Sequence, residues 1–140
     1  MRKIVLASHH LMADGLKDTI QYVMSNLNNI ETICAYMDNQ PVSQQFKEVL
    51  GDINDQDEYL IFTDMLGGSV NQEAIQYLSY PNVYIITGMS LPIVLSVVLT
   101  LQSSEKIDET LIRNAIEDAK NQIVYVNDMV KNMEVDEDDE

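Results

Sequence analysis

Tryptophan is absent from this chain, and cysteine occurs once, at Cys34. A lone cysteine cannot close an intrachain disulfide, and two adjacent histidines supply no Cys/His metal spacing. Cys34 lies in an apolar run and reads as a buried, inert thiol. Basic residues are scarce: 8 Lys and Arg stand against 23 Asp and Glu, a formal net charge of -15. Nucleic-acid binding needs basic patches and is disfavoured. Long hydrophobic runs are missing too. The greasiest, Leu91 to Leu101, is broken by Pro92, Ser96 and Thr100 and is too short to span a bilayer. The chain enters a strand directly after Met1-Arg2-Lys3, without the apolar core and cleavage site of a signal peptide. A cytoplasmic location is the expectation.

What is present suffices for one domain with a real core: 140 residues, 46% of them hydrophobic. Six of the acids lie in Glu134 to Glu140 with no base among them, which leaves about -9 for the rest. Like charges repel, so residues 131–140 are expected to be a disordered acidic tail behind a domain of residues 1–130. The remaining acidic surface would steer a basic protein partner, although solubility alone is the plainer explanation.

Apolar runs alternate with helical patterns. Ile4 to Ala7, Thr32 to Met37, Tyr59 to Thr63 and Asn82 to Thr87 read as strands. Between them, Leu16, Ile20, Val23 and Leu27 recur at helical spacing, as do Phe46, Val49 and Leu50, and Val70, Ala74 and Leu78. Ile93 to Leu101 is apolar nearly all round, so its helix is covered by its own domain or by a subunit interface. A helix from Asp108 to about Asn121 follows, then Ile123 to Val126, β-branched and aromatic, as a last strand. The alternation predicts an α/β fold with a mainly parallel, doubly wound sheet. Ligands in such sheets bind beyond the strand carboxyl ends, where strand order reverses.

Two strand ends carry chemistry. The first releases His9 and His10, and neighbouring side chains in extended chain point opposite ways, so only one should face a site. The third releases Asp64, followed by Gly67-Gly68-Ser69 at the start of a helix. Asp64 could be a helix cap or turn residue. Alternatively its carboxylate accepts the N–H of one imidazole nitrogen and leaves the other nitrogen free to attack phosphorus. Gly67 and Gly68 permit φ > 0 and close backbone approach, and Ser69 adds a hydroxyl beside unpaired helix N–H groups. No lysine follows the glycines, so this is not a nucleotide P-loop, and no GxGxxG is present.

Three segments together resemble the IIA component of the mannose-type (mannose–fructose–sorbose) branch of the bacterial phosphoenolpyruvate-dependent sugar phosphotransferase system. Ile4-Val5-Leu6-Ala7-Ser8-His9 is similar to that family's first strand and phosphoacceptor histidine. Phe62 to Ser69 is similar to its Asp-x-x-Gly-Gly-Ser segment, and Gly88-Met89-Ser90-Leu91-Pro92 to its Gly-x-(Asn/Ser)-x-Pro turn. The family usually has glycine where this chain has His10. The resemblance implies strand order 2-1-3-4, with Ile123 to Val126 as an antiparallel strand that may be exchanged in a homodimer. It places the phosphoryl group on His9, the orienting carboxylate on Asp64, and the phosphate-supporting turn on Gly67, Gly68 and Ser69. It implies HPr as donor, the IIB component as acceptor, the membrane subunits IIC and IID further on, and no metal or other cofactor. The phosphoryl-transfer subunit of a phosphotransferase-dependent dihydroxyacetone kinase shares the fold, but its third-strand turn usually lacks Gly-Gly-Ser. A regulatory binding module without turnover is the alternative from another class.

Overall fold

Val5, Leu6 and Ala7 have no exposed surface, because a strand in the middle of a parallel sheet is covered on both faces. The computed structural model of the chain describes residues 1–138. Its strands are β1 (Arg2–His9), β2 (Ile30–Ala35), β3 (Glu58–Thr63) and β4 (Val83–Thr87). All pairings are parallel, in the order β2-β1-β3-β4. The helices are α1 (Met12–Val23), α2 (Val42–Leu50), α3 (Ser69–Ile75), α4 (Leu91–Gln102), α5 (Glu109–Lys120) and α6 (Val126–Asp138), with a 3-10 turn at Gln76–Ser79.

The two-residue period of the strands splits the core into two layers. Ile4, Leu6, Leu60, Phe62 and Ile86 face one way and pack with residues of α1, α4 and α5. Val5, Ala7, Ile33, Ala35 and Ile61 face the other way, onto Phe46 and Leu50 of α2 and Val70 and Ala74 of α3. Helix ends follow local chemistry. Asp108 caps α5 by accepting from the Thr110 N–H at 2.8 Å, and Pro92 sits in the first turn of α4. Gly51 ends α2 at φ 61°, its N–H returning to the Lys47 carbonyl.

Of the two coverings open for the apolar helix the structure shows the first, and several other expectations are corrected. Helix α4 is covered largely by its own domain: Ile93, Val94, Val97, Val98 and Leu101 are buried, while Leu99 is 51% exposed. Val23 ends α1 on the exposed side, and Leu78 is exposed because the chain has tightened from α3 into the 3-10 turn, which rotates it off the inward face. The second strand stops at Ala35, two residues short of Met37, because Tyr36 turns to φ 66°. No strand forms at Ile123 to Val126 in the single chain. A strand needs a ladder partner, and here the backbone makes local bonds instead. The Gln122 N–H donates to the Ala119 carbonyl and the Ile123 N–H to that of Lys120, and α6 begins at Val126. Of the segment set aside as an acidic tail, residues 131–138 lie in α6 and residues 139–140 lie outside the described residues.

Candidate functional site

Strands β1 and β3 are neighbours, and the chain reaches β3 only after running outward to β2. Their carboxyl ends therefore form the switch point of the sheet, and both candidate side chains stand there. His9 is the last residue of β1, and Asp64 follows β3 directly. One carboxylate oxygen of Asp64, Oδ2, accepts two hydrogen bonds from His9. The backbone N–H donates at 2.8 Å and the ring Nδ1 lies at 2.7 Å. The other oxygen, Oδ1, accepts the Met65 N–H at 3.0 Å.

These contacts fix the imidazole tautomer. An ionised carboxylate can only accept, so the proton of a neutral His9 ring belongs on Nδ1. Nε2 then carries the lone pair. Asp64 is fit for the role. Burial pushes its carboxyl up, but the backbone and ring hydrogen bonds from His9, the charge of that ring and the Met65 N–H together hold it below the ordinary 3.8. The Asp64 side chain is 11% exposed and that of His9 37%, so the pair is sheltered on the carboxylate side and open on the other.

Local backbone chemistry builds the rest. Buried Ser8 holds the turn out of β1, its Oγ accepting the Ala13 N–H at 2.8 Å and donating to the His10 carbonyl at 3.1 Å. His10 adopts φ 52°, and its side chain is exposed. A left-handed residue here means that glycine would suit the position after His9. After Asp64 the chain turns through Gly67 at φ 78°. A Cβ on Gly68 would meet Met65 Cγ at 2.9 Å, so glycine gives the Met65 side chain its room, and the turn lies in van der Waals range of the imidazole, 3.5 Å from His9 Cε1. Ser69 Oγ stands 3.4 Å from Nε2 and 2.5 Å from the Tyr36 hydroxyl. Behind the turn, buried Thr63 donates to Asn71 Oδ1 at 2.8 Å and ties the end of β3 to α3.

The structure thus brings His9, Asp64, Gly68 and Ser69 together, with Gly67 as the hinge of the turn. Exposed Leu11, Met65 and Leu66 sit on the same loops, Met12 opens α1, and exposed Met37 follows β2. Replacing Gly67 by alanine should cost about 1–2 kcal/mol, the penalty for a Cβ in the left-handed region. Urea unfolding of Gly67→Ala checks this, and unchanged stability would mean the turn relaxes to another path.

The family model described as the PTS system fructose IIA component, EIIA-man, matches residues 3–116. The chain belongs to this family. Among solved structures, it is similar to a Klebsiella pneumoniae subsp. pneumoniae MGH 78578 protein described as a phosphoenolpyruvate-dependent sugar phosphotransferase system permease. The identity is 31% over 92% of this chain and 93% of that one, with a TM-score of 0.84. Two others share the fold. The PTS IIA protein associated with the fucose utilization operon of Streptococcus pneumoniae is 24% identical, at TM-score 0.76 over 92% of this chain and 96% of that one. Phosphotransferase system component EIIA from Streptococcus agalactiae is 20% identical, at TM-score 0.74 over 91% and 98%. No curated protein sequence matches the chain at a significant level. Among the described residues no helix is long and apolar enough to cross a membrane.

Sequence reasoning missed Ser8, Asn71 and Tyr36. Ser8 and Asn71 had no signal beyond being polar next to apolar runs. Tyr36 reads as part of a strand because aromatic residues favour strands.

Proposed function

We propose that this EIIA-man chain is a cytoplasmic phosphoryl carrier that accepts a phosphoryl group from phospho-HPr on Nε2 of His9 and passes it to the IIB component during sugar uptake. One observation carries the reading: Asp64 Oδ2 binds both the backbone N–H and Nδ1 of His9, which leaves the Nε2 lone pair free and supports Nε2 as the nucleophile. The Nε2 lone pair forms the new N–P bond as the N–P bond of the donor breaks, and the donor nitrogen keeps that electron pair. The ring gains positive charge, its Nδ1 proton stays in place, and the Asp64 carboxylate lies 2.7 Å away to balance it. The same step in reverse, toward a IIB histidine, discharges the carrier. Ser69 Oγ lies 3.4 Å from Nε2, which supports a role as donor to phosphoryl oxygens, and exposed Leu66 and Met65 would offer the donor an apolar contact.

Incubation with phosphoenolpyruvate, enzyme I and HPr tests the reading. A single acid-labile phosphoryl group on His9 is expected. An acid-stable label, or none, would overturn it.

The reading includes a homodimer. Ile123 is 87% exposed, and Val124, Tyr125 and Val126 are exposed beside it. A groove of about 410 Å³ runs past Ile85, Ile86 and Thr87 of edge strand β4, between them and Ile116 and Ala119. Pairing the Ile123 to Val126 segment of a second copy with this edge would cover both surfaces. Sedimentation should give a dimer at micromolar concentration, unaffected by deleting residues 134–140. A clean monomer would remove the claim.

A further inference from the structure

Tyr36 stands outside the machinery described so far, yet three features converge on it. Its backbone is left-handed, at φ 66°, a conformation that a residue with a Cβ adopts only against steric cost. Strain of this kind collects at functional sites. The conformation carries the side chain out of the β2 direction and over the imidazole, with ring centroids 5.3 Å apart and planes tilted by 31°. The phenol oxygen then lies 2.5 Å from Ser69 Oγ, itself 3.4 Å from His9 Nε2.

Proton counting gives this chain of atoms a direction. Asp64 places the ring proton on Nδ1, so Nε2 can only accept. Ser69 has one hydroxyl proton. If Ser69 donated to the phenol, its oxygen lone pairs would face the lone pair of Nε2. If Tyr36 donates to Ser69, the serine proton is free to point at Nε2. The consistent arrangement is therefore Tyr36 O–H to Ser69 Oγ, and Ser69 O–H toward Nε2. At 3.4 Å the second contact is long, so it aims the donor without tying up the nucleophile.

We infer that Tyr36 is a positioning residue for phosphoryl transfer: it fixes the direction of the Ser69 hydroxyl, so that a donor already stands where the phosphoryl oxygens arrive at Nε2. The inference rests on the proposed function and assigns one more residue to the same site. Charge in a phosphoryl-transfer transition state spreads over the peripheral oxygens, and a donor oriented beforehand stabilises it without reorganising.

The test compares Tyr36→Phe, which keeps the ring but loses the hydroxyl, with Ser69→Ala and the double variant. Two phosphoryl donors are used: phospho-HPr, and phosphoramidate, which is too small to need a docking surface. Tyr36→Phe is expected to slow labelling of His9 about tenfold with both donors at saturation, with KM for phospho-HPr unchanged. That is less than the hundredfold or greater loss seen when a directly contacting donor is removed elsewhere, because Tyr36 acts through Ser69. In the Ser69→Ala background Tyr36→Phe should cost nothing further. Nitrogen NMR of the unphosphorylated protein supplies a donor-free readout: the Nε2 resonance should shift alike in both single variants. Wild-type rates in Tyr36→Phe, a loss seen only with phospho-HPr, losses that multiply in the double variant, or an unmoved Nε2 resonance would each overturn the inference. Should the wild-type protein accept nothing from phospho-HPr, the proposed function falls, while phosphoramidate labelling and the Nε2 resonance still decide the role of Tyr36.

Discussion

His9→Ala is expected to abolish labelling from phospho-HPr, while His10→Ala and His10→Gly retain most of it. The two histidines are adjacent, but their surroundings differ in kind. His9 ends β1 in extended conformation, with its backbone and ring both bonded to Asp64. His10 has turned to φ 52°, its N–H donates to the Ala35 carbonyl at 2.9 Å, and its exposed ring has no hydrogen-bonding partner among the described residues. An imidazole without a fixed tautomer and without a carboxylate to balance its charge is a poor acceptor, so the loss in His9→Ala should be complete within detection. His10→Gly should also be at least as stable as wild type, since glycine takes the left-handed conformation without steric cost. Full labelling of His9→Ala would move the phosphoryl group to His10 and sink the assignment.

Asp64→Asn should slow acceptance by about a hundredfold or more, in line with the loss when a catalytic orienting aspartate becomes asparagine in a serine protease, where it approaches 10⁴. The geometry explains why the isosteric change is damaging. With the amide oxygen at the Oδ2 position, both His9 N–H groups keep an acceptor, but the amide NH₂ meets the Met65 N–H and the negative charge is gone. With the amide reversed, Met65 is satisfied, but the NH₂ faces Nδ1. The ring proton then moves to Nε2 and the nucleophile is lost. Single-turnover transfer from phospho-HPr measures the effect, and a wild-type rate in the asparagine variant would show that Asp64 is only a turn residue.

A pH dependence of stability accompanies this. The folded Asp64 carboxyl titrates below its ordinary 3.8, so the stability it contributes is fully present above that value and is lost as pH falls through the lower, folded one. Asp64→Asn should therefore unfold at lower urea than wild type near neutral pH, with the gap closing in acid. A gap that persists at low pH would place its origin elsewhere.

How much of this was legible beforehand follows from which interactions are local. The two central strands could be read because a parallel strand buried on both faces must be apolar without interruption, as Leu60, Ile61 and Phe62 are. Helix starts could be read where the signal is a neighbouring residue, as at Asp108. Two of the failures are nonlocal. Ile123 to Val126 has strand composition, but a strand exists only against a partner, and in the single chain this segment has none. Tyr36 has strand propensity, but the hydroxyl of Ser69 and the ring of His9 lie 33 and 27 residues away in sequence and reward the opposite backbone choice. Leu78 matched the helical period, but the helix had already narrowed to a 3-10 turn.

By itself, the sequence determined the alternation of strands and helices, and with it the parallel sheet. It also determined that His9 and Asp64 must emerge at strand carboxyl ends, because hydrophobic period and glycine turns are properties of adjacent residues. Only the tertiary structure decided that the Asp64 carboxylate would take both N–H groups of His9, that Nε2 would be the free nitrogen, and that Tyr36 would close the line through Ser69. Those outcomes depend on ångström-scale distances between residues tens of positions apart. The pairing of β1 with both β2 and β3 sets these distances, and no run of neighbours encodes them.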